Sequence, residues 1–198
     1  MAQRDLEEIV HNPDSRDHFE VLGIPRKLRV DQEQLTRHFY RLSRLYHPDY
    51  NQSLAPADRV RALQRSAAVN EAFNTLKDPY KRGRWWLEFN GGRIDENMEV
   101  PQDLILLVFE VQDDLRAIGD TDDASFTDRI AERRREVEEA LRVRRETLLT
   151  LFQKWDNLDN GSTPNGLRTD TQRVLADISY LSALIRDIKA TLENVSAA

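Results

Sequence analysis

The chain has 198 residues, with 29 Lys plus Arg against 35 Asp plus Glu, no Cys, 39% hydrophobic residues and 32% charged ones. Without cysteine there is no disulfide framework, thiolate zinc ribbon, cysteine-ligated iron–sulfur cluster or cysteine nucleophile. No run of eighteen apolar residues occurs, and the first seventeen residues carry five acids against two Arg, opposite to a targeting peptide, so the expectation is a soluble intracellular protein that avoids membranes.

Seven Gly and seven Pro are too few for a turn-rich β protein, and an all-α fold is expected. The net charge of −6 divides unevenly along the chain. Residues 18–90 hold thirteen Lys/Arg and eight Asp/Glu, a balance of +5, whereas residues 91–198 hold fourteen and twenty-two, a balance of −8. Asn90-Gly91-Gly92 ends one helical pattern and Pro101 starts the next. The expected organisation is an N-terminal extension over 1–16, a basic domain over 17–91, a connector over 92–101 and an acidic domain over 102–198.

In the basic domain, Asp17-His18-Phe19-Glu20-Val21-Leu22-Gly23 reads as a short helix stopped by the glycine, which Pro25 keeps from continuing. Asp31 caps a longer helix whose apolar residues Leu35, Phe39, Leu42 and Tyr46 recur at four, three and four, a buried stripe. Pro48 ends it. After a polar loop over 49–56, a second long helix carries Val60, Leu63, Ala67, Phe73 and Leu76 at mostly helical spacing. Asp78-Pro79 then caps and opens a short helix with Trp85, Trp86 and Phe89.

Three helical stretches follow in the acidic domain. The first sets Leu104, Val108, Val111, Leu115 and Ile118 at four and three, closed by Gly119. The second starts after Asp122 or Asp123 and runs through Ile130, Val137, Leu141, Leu148, Phe152 and Trp155. The third alternates four and three through Val174, Ile178, Leu181, Ile185, Ile188, Leu192 and Val195, the pattern of helices packed nearly parallel. An antiparallel three-helix bundle is expected, with an irregular surface loop over 157–166.

The most specific short feature is His47-Pro48-Asp49, directly after a helix and before the polar loop. Arg37, Arg41 and Arg44 lie about 180° to 240° around that helix from Leu35, so a basic exposed stripe leads into the tripeptide. By itself the tripeptide is equally a helix stop, with Asp bonding its own backbone in a turn. Pro48 fixes its own φ and biases His47 away from the helical region, which pre-organises the polar side chains around it. The arginines supply salt-dependent attraction to an acidic surface, or else form a solvated helix face.

A second feature sits on the first helix of the acidic domain. With Leu104 at 0°, Val108, Val111 and Leu115 fall within about 40°, whereas Ile105 lies near 100°, Phe109 near 140° and Leu106 near 200°. This helix is apolar on two faces, and Asp113 and Glu110 border the second. Apolar anchors with a polar rim fit a protein-binding surface. Packing against the basic domain or connector, and a homodimer contact, are equally open from this geometry.

The short first helix, His47-Pro48-Asp49 between two antiparallel helices, the stretch Ala68-Val69-Asn70-Glu71-Ala72-Phe73-Asn74-Thr75-Leu76, and Asp78-Pro79 with Arg82 together resemble a J-domain of the DnaJ type. Followed by a roughly hundred-residue helical bundle, this layout is similar to HscB-like co-chaperones of iron–sulfur cluster assembly. The resemblance implies that His47, Pro48 and Asp49, with Arg37, Arg41 and Arg44, dock on a heat-shock chaperone ATPase of HscA or DnaK type and accelerate its ATP hydrolysis. It further implies that Ile105, Leu106, Phe109, Glu110, Asp113 and Tyr180 bind a scaffold protein of IscU type, in the bacterial cytoplasm. Residues 1–16 and the longer 157–166 loop inherit no role, and a cysteine-rich N-terminal metal site known in some relatives cannot be built here.

Catalysis by the chain itself is not expected. His11, His18, His38 and His47 show no metal-ligand spacing, no glycine-rich phosphate loop occurs, and no cofactor or metal is called for. A basic excess of +5 in one domain is weak for nucleic acid. The competing reading is a J-domain co-chaperone for another client, with the bundle as a client-binding or dimerisation module.

Overall fold

A computed structural model describes residues 12–93, 101–116, 124–158 and 164–197. Seven α-helices and one short 3₁₀ turn form among them, and no strand. The helices are α1 His18–Leu22, α2 Gln32–Leu45, α3 Pro56–Leu76, α4 Pro79–Phe89, α5 Gln102–Arg116, α6 Ala124–Asp156 and α7 Asn165–Ala197. The all-α fold is as the composition dictates. Two compact units result: Met1–Gly91 with Phe152–Asn160, and Gly92–Leu151 with Gly161–Ala198.

Local chemistry sets the helix ends in the first unit. The carboxylates of Asp17, Asp31 and Asp78 accept from backbone N–H groups in the first turns of α1, α2 and α4, each cap worth about 1 kcal/mol. Gly23 closes α1 in the left-handed region at φ 61°, where a side chain would strain the backbone. Between α2 and α3 the chain is more ordered than a polar loop: Pro48–Asn51 forms a 3₁₀ turn with Pro48 in its first position.

Helix α3 packs against α1, α2 and α4. Its buried residues are Ala62, Val69, Ala72 and Leu76, while Val60 and Leu63 stand 55% and 61% exposed. This corrects the apolar stripe drawn through Val60, Leu63 and Ala67. Small side chains at 62 and 72 let neighbouring backbones approach, and Phe73 stacks on Phe39 of α2 with ring centroids 4.0 Å apart. Two small and two branched apolar side chains thus make the inward face.

The last turn of α6 belongs to this unit. Phe152 and Trp155 are buried in it, Trp155 meets Trp86 edge-on at 6.0 Å, and the buried Arg82 guanidinium lies 5.2 Å over the Phe152 ring. Asp156 accepts hydrogen bonds from the backbone N–H groups of Leu28 at 2.6 Å and Arg29 at 2.8 Å. The sequence pattern assigns Phe152 and Trp155 to a bundle stripe, because residues at heptad spacing look alike whichever partner they meet.

In the second unit α5 packs on α7. Leu104 and Val111 are buried on α5, Ile130, Val137, Leu141 and Leu148 on α6, and Leu167, Val174, Ile178, Leu181, Ile185 and Ile188 on α7. Arg144 pairs with the buried Asp177 at 2.9 Å, tying α6 to α7. Ile118 and Gly119 lie outside the described residues. No described helix is long and apolar enough to cross a membrane.

Candidate functional sites

The first candidate site is the α2–α3 turn. Tyr46 is buried and holds the end of α2, after which His47 leaves the helical region at φ −63°, ψ 133°, the direction Pro48 favours for its predecessor. The Nδ1 atom of His47 accepts from the Asp49 N–H at 3.2 Å and stands 3.7 Å from the Asp49 carboxylate. His47, Pro48 and Asp49 are all exposed.

Asn51 ties the turn down, donating from Nδ2 to the carbonyls of Leu45 at 3.1 Å and His47 at 2.9 Å. Pattern reading passed over Asn51. Its trace in the sequence is an amide six residues past the last residue of α2, where backbone carbonyls lack partners. Tyr50 was also missed; its ring meets His47 edge-on at 5.8 Å, and Arg44 stands 5.7 Å from its centroid.

Arg37, Arg41 and Arg44 are exposed along α2, on the side away from Leu35 and Leu42. Arg37 pairs with Glu33 at 3.7 Å, an exposed i,i+4 contact worth well under about 1 kcal/mol, so its charge is available to a partner. The structure brings the stripe and the tripeptide together at one end of the helical hairpin.

The second candidate site is the outward side of α5. Leu106 is 61% and Phe109 64% exposed, with Ile105 at 38%, while Glu110 and Asp113 are exposed beside them. Tyr180 of α7 is 40% exposed. Glu110 is held by Arg133 of α6 at 2.9 Å, and the same guanidinium reaches Asp114 at 3.0 Å and Glu136 at 2.8 Å. These three acids push the Arg133 pKa further up, its hydrogen bonds to Glu136 and Asp114 dominating. Arg133 therefore holds Glu110, one of the two rim acids, a role invisible to spacing because it comes from another helix.

Among the described residues no group of His, Asp and Glu could hold a metal ion. Residues 17–85 match the DnaJ domain family. The chain is 32% identical over 109 residues to the co-chaperone protein HscB homologue of Vibrio campbellii and 32% identical over 110 residues to that of Vibrio vulnificus. These matches take in 54% of this chain and 64% of each relative, so it spans somewhat under two thirds of their length.

In fold it is similar to chaperone HscB from Vibrio cholerae, with a TM-score of 0.68 at 20% identity over 90% of this chain and 99% of that one. Human co-chaperone protein HscB gives 0.68 at 20% identity over 91% and 84%. Residues 17–85 thus carry a DnaJ domain, in a chain that is similar in sequence and in fold to HscB proteins.

Proposed function

We propose that the chain is a co-chaperone of iron–sulfur cluster assembly, which binds an IscU-type scaffold and delivers it to an HscA- or DnaK-type chaperone ATPase. It activates that ATPase and hydrolyses nothing itself. In this reading residues 17–91 are the activating domain, 92–101 the connector and 102–198 the scaffold-binding bundle, working in the bacterial cytoplasm. The observation that carries it is the exposed, pre-organised His47-Pro48-Asp49 turn at the end of a basic helix, inside a DnaJ domain.

Pre-organisation reduces the ordering cost on docking, and Arg37, Arg41 and Arg44 attract an acidic partner surface and set its register. Leu106 and Phe109 are the apolar anchors for the scaffold, with Ile105 and Tyr180 beside them and Glu110 and Asp113 as a charged rim. Similarity to proteins named as HscB co-chaperones supports the pairing of the two roles.

Steady-state ATP hydrolysis by purified HscA- and DnaK-type ATPases tests the first role. His47→Gln should abolish stimulation while leaving the helical circular dichroism intact; undiminished stimulation refutes the assignment. Titration of an IscU-type scaffold tests the second: wild-type chain binds, and Leu106→Ala with Phe109→Ala weakens binding at least tenfold. Stimulation without scaffold binding by the wild-type chain would assign the bundle to another client.

A further inference from the structure

The turn at the end of α2 is not purely polar. Tyr50 is 65% exposed, yet its ring is held on two sides, by the His47 imidazole edge-on at 5.8 Å and by the Arg44 guanidinium 5.7 Å from its centroid. Tyr40, 66% exposed, stands on the basic face of α2, three residues from Arg37 and four from Arg44; Leu45, 54% exposed, stands four from Arg41. Scattered exposed apolar residues are ordinary. Two on the helix that carries three arginines, and a third flanked by His47 and Arg44 in the turn that follows, make a surface of mixed character.

We propose that Tyr50 is an aromatic anchor of the docking face, seated on an apolar patch of the chaperone ATPase that is bordered by carboxylates. Arg44 and His47 hold the ring upright before the partner arrives. An aromatic ring has few rotamers to lose and much apolar area to bury, and a cation over its face stabilises it further once water leaves. The arginines then meet the bordering acids while the ring fills the apolar patch between them. Binding acquires a component that salt does not screen, because burial of apolar surface, unlike ion pairing, does not depend on the Debye length.

This inference rests on the docking role given above to His47, and the test separates the two. Wild type, Tyr50→Ala, Tyr50→Phe and His47→Gln are titrated against a purified DnaK-type and a purified HscA-type ATPase, reading half-maximal stimulation at 0.05 and 0.5 M salt. Tyr50→Ala should raise the half-maximal concentration about tenfold at both salt concentrations, and Tyr50→Phe, which keeps the ring, should stay within about twofold of wild type. Thermal melting should be unchanged in all, because Tyr50 and the His47 side chain are solvent-facing.

A Tyr50→Ala chain that stimulates like wild type, while His47→Gln is inactive, overturns the anchor and leaves the docking role standing. An effect that vanishes at 0.5 M salt also overturns it, since the ring would then act only through Arg44. If His47→Gln stimulates normally, the docking role itself fails.

Discussion

His38 shows how one residue turns a pattern into a pH dependence. It lies on the inner side of α2, buried, with Nδ1 donating 2.9 Å to the Leu22 carbonyl, which fixes the neutral tautomer. Burial lowers its pKa below 6.5; the Leu22 bond opposes this and the Arg41 and Arg37 charges add to it. His18, stacked on Trp85 at 4.5 Å, is also lowered, again by burial, against Glu71 and Asp17. The unfolded chain therefore binds more protons than the folded one as pH falls through 6.5. Stability is whole above that pH and declines below it. Melting temperature should drop between pH 7.5 and 5.5, and His38→Gln should flatten the slope; an equal slope in the variant would contradict the assignment. Asp156 has an equally local effect: Asp156→Ala leaves the Leu28 and Arg29 N–H groups without that acceptor and should cost about 1–3 kcal/mol in chemical denaturation.

At the scale of elements, α3 and α5 respond oppositely to the same kind of change. Ala72 is fully buried against its neighbours, so Ala72→Leu should overpack the helical hairpin and destabilise by about 1–3 kcal/mol in denaturant titration. Leu106 and Phe109 carry more apolar surface but face solvent, so replacing both by Ala should shift the melting temperature by no more than a degree or two. A large drop would mean that they are core residues. The four-three repeats of α5 and α7, the Asp31 and Asp78 caps and Gly23 were legible because each reflects a rule acting within about five residues of chain. The inward face of α3 was not, because alanines at 62 and 72 carry little hydropathy and their role depends on how closely another backbone approaches.

Across the whole molecule, charge divides the two proposed interaction faces. The basic balance of residues 18–90 and the acidic balances of 1–17 and 91–198 sum to a net −6. Docking through Arg37, Arg41 and Arg44 should weaken steeply as the Debye length shrinks from about 8 Å at 0.15 M salt to about 3 Å at 1 M. Scaffold binding through Leu106 and Phe109 should weaken far less, and measuring both associations across that range checks the division. Equal salt slopes would place the same forces at both sites.

The sequence by itself determined the all-α class, nearly every helix start, the exposed His47-Pro48-Asp49 turn and the two-faced character of α5, since all of these follow from short-range periodicity and from what Pro, Gly and Asp do to a backbone. Only the tertiary structure decided that Asp156 caps the Leu28 and Arg29 amides, that Arg133 grips Glu110, and that Asn51 and Tyr50 brace the His47 turn. The first two join residues 23 to 128 positions apart, and the last two depend on the pitch of a 3₁₀ turn. Neither the distance nor the turn geometry is carried by the spacing of apolar residues, whereas both decide which polar groups meet.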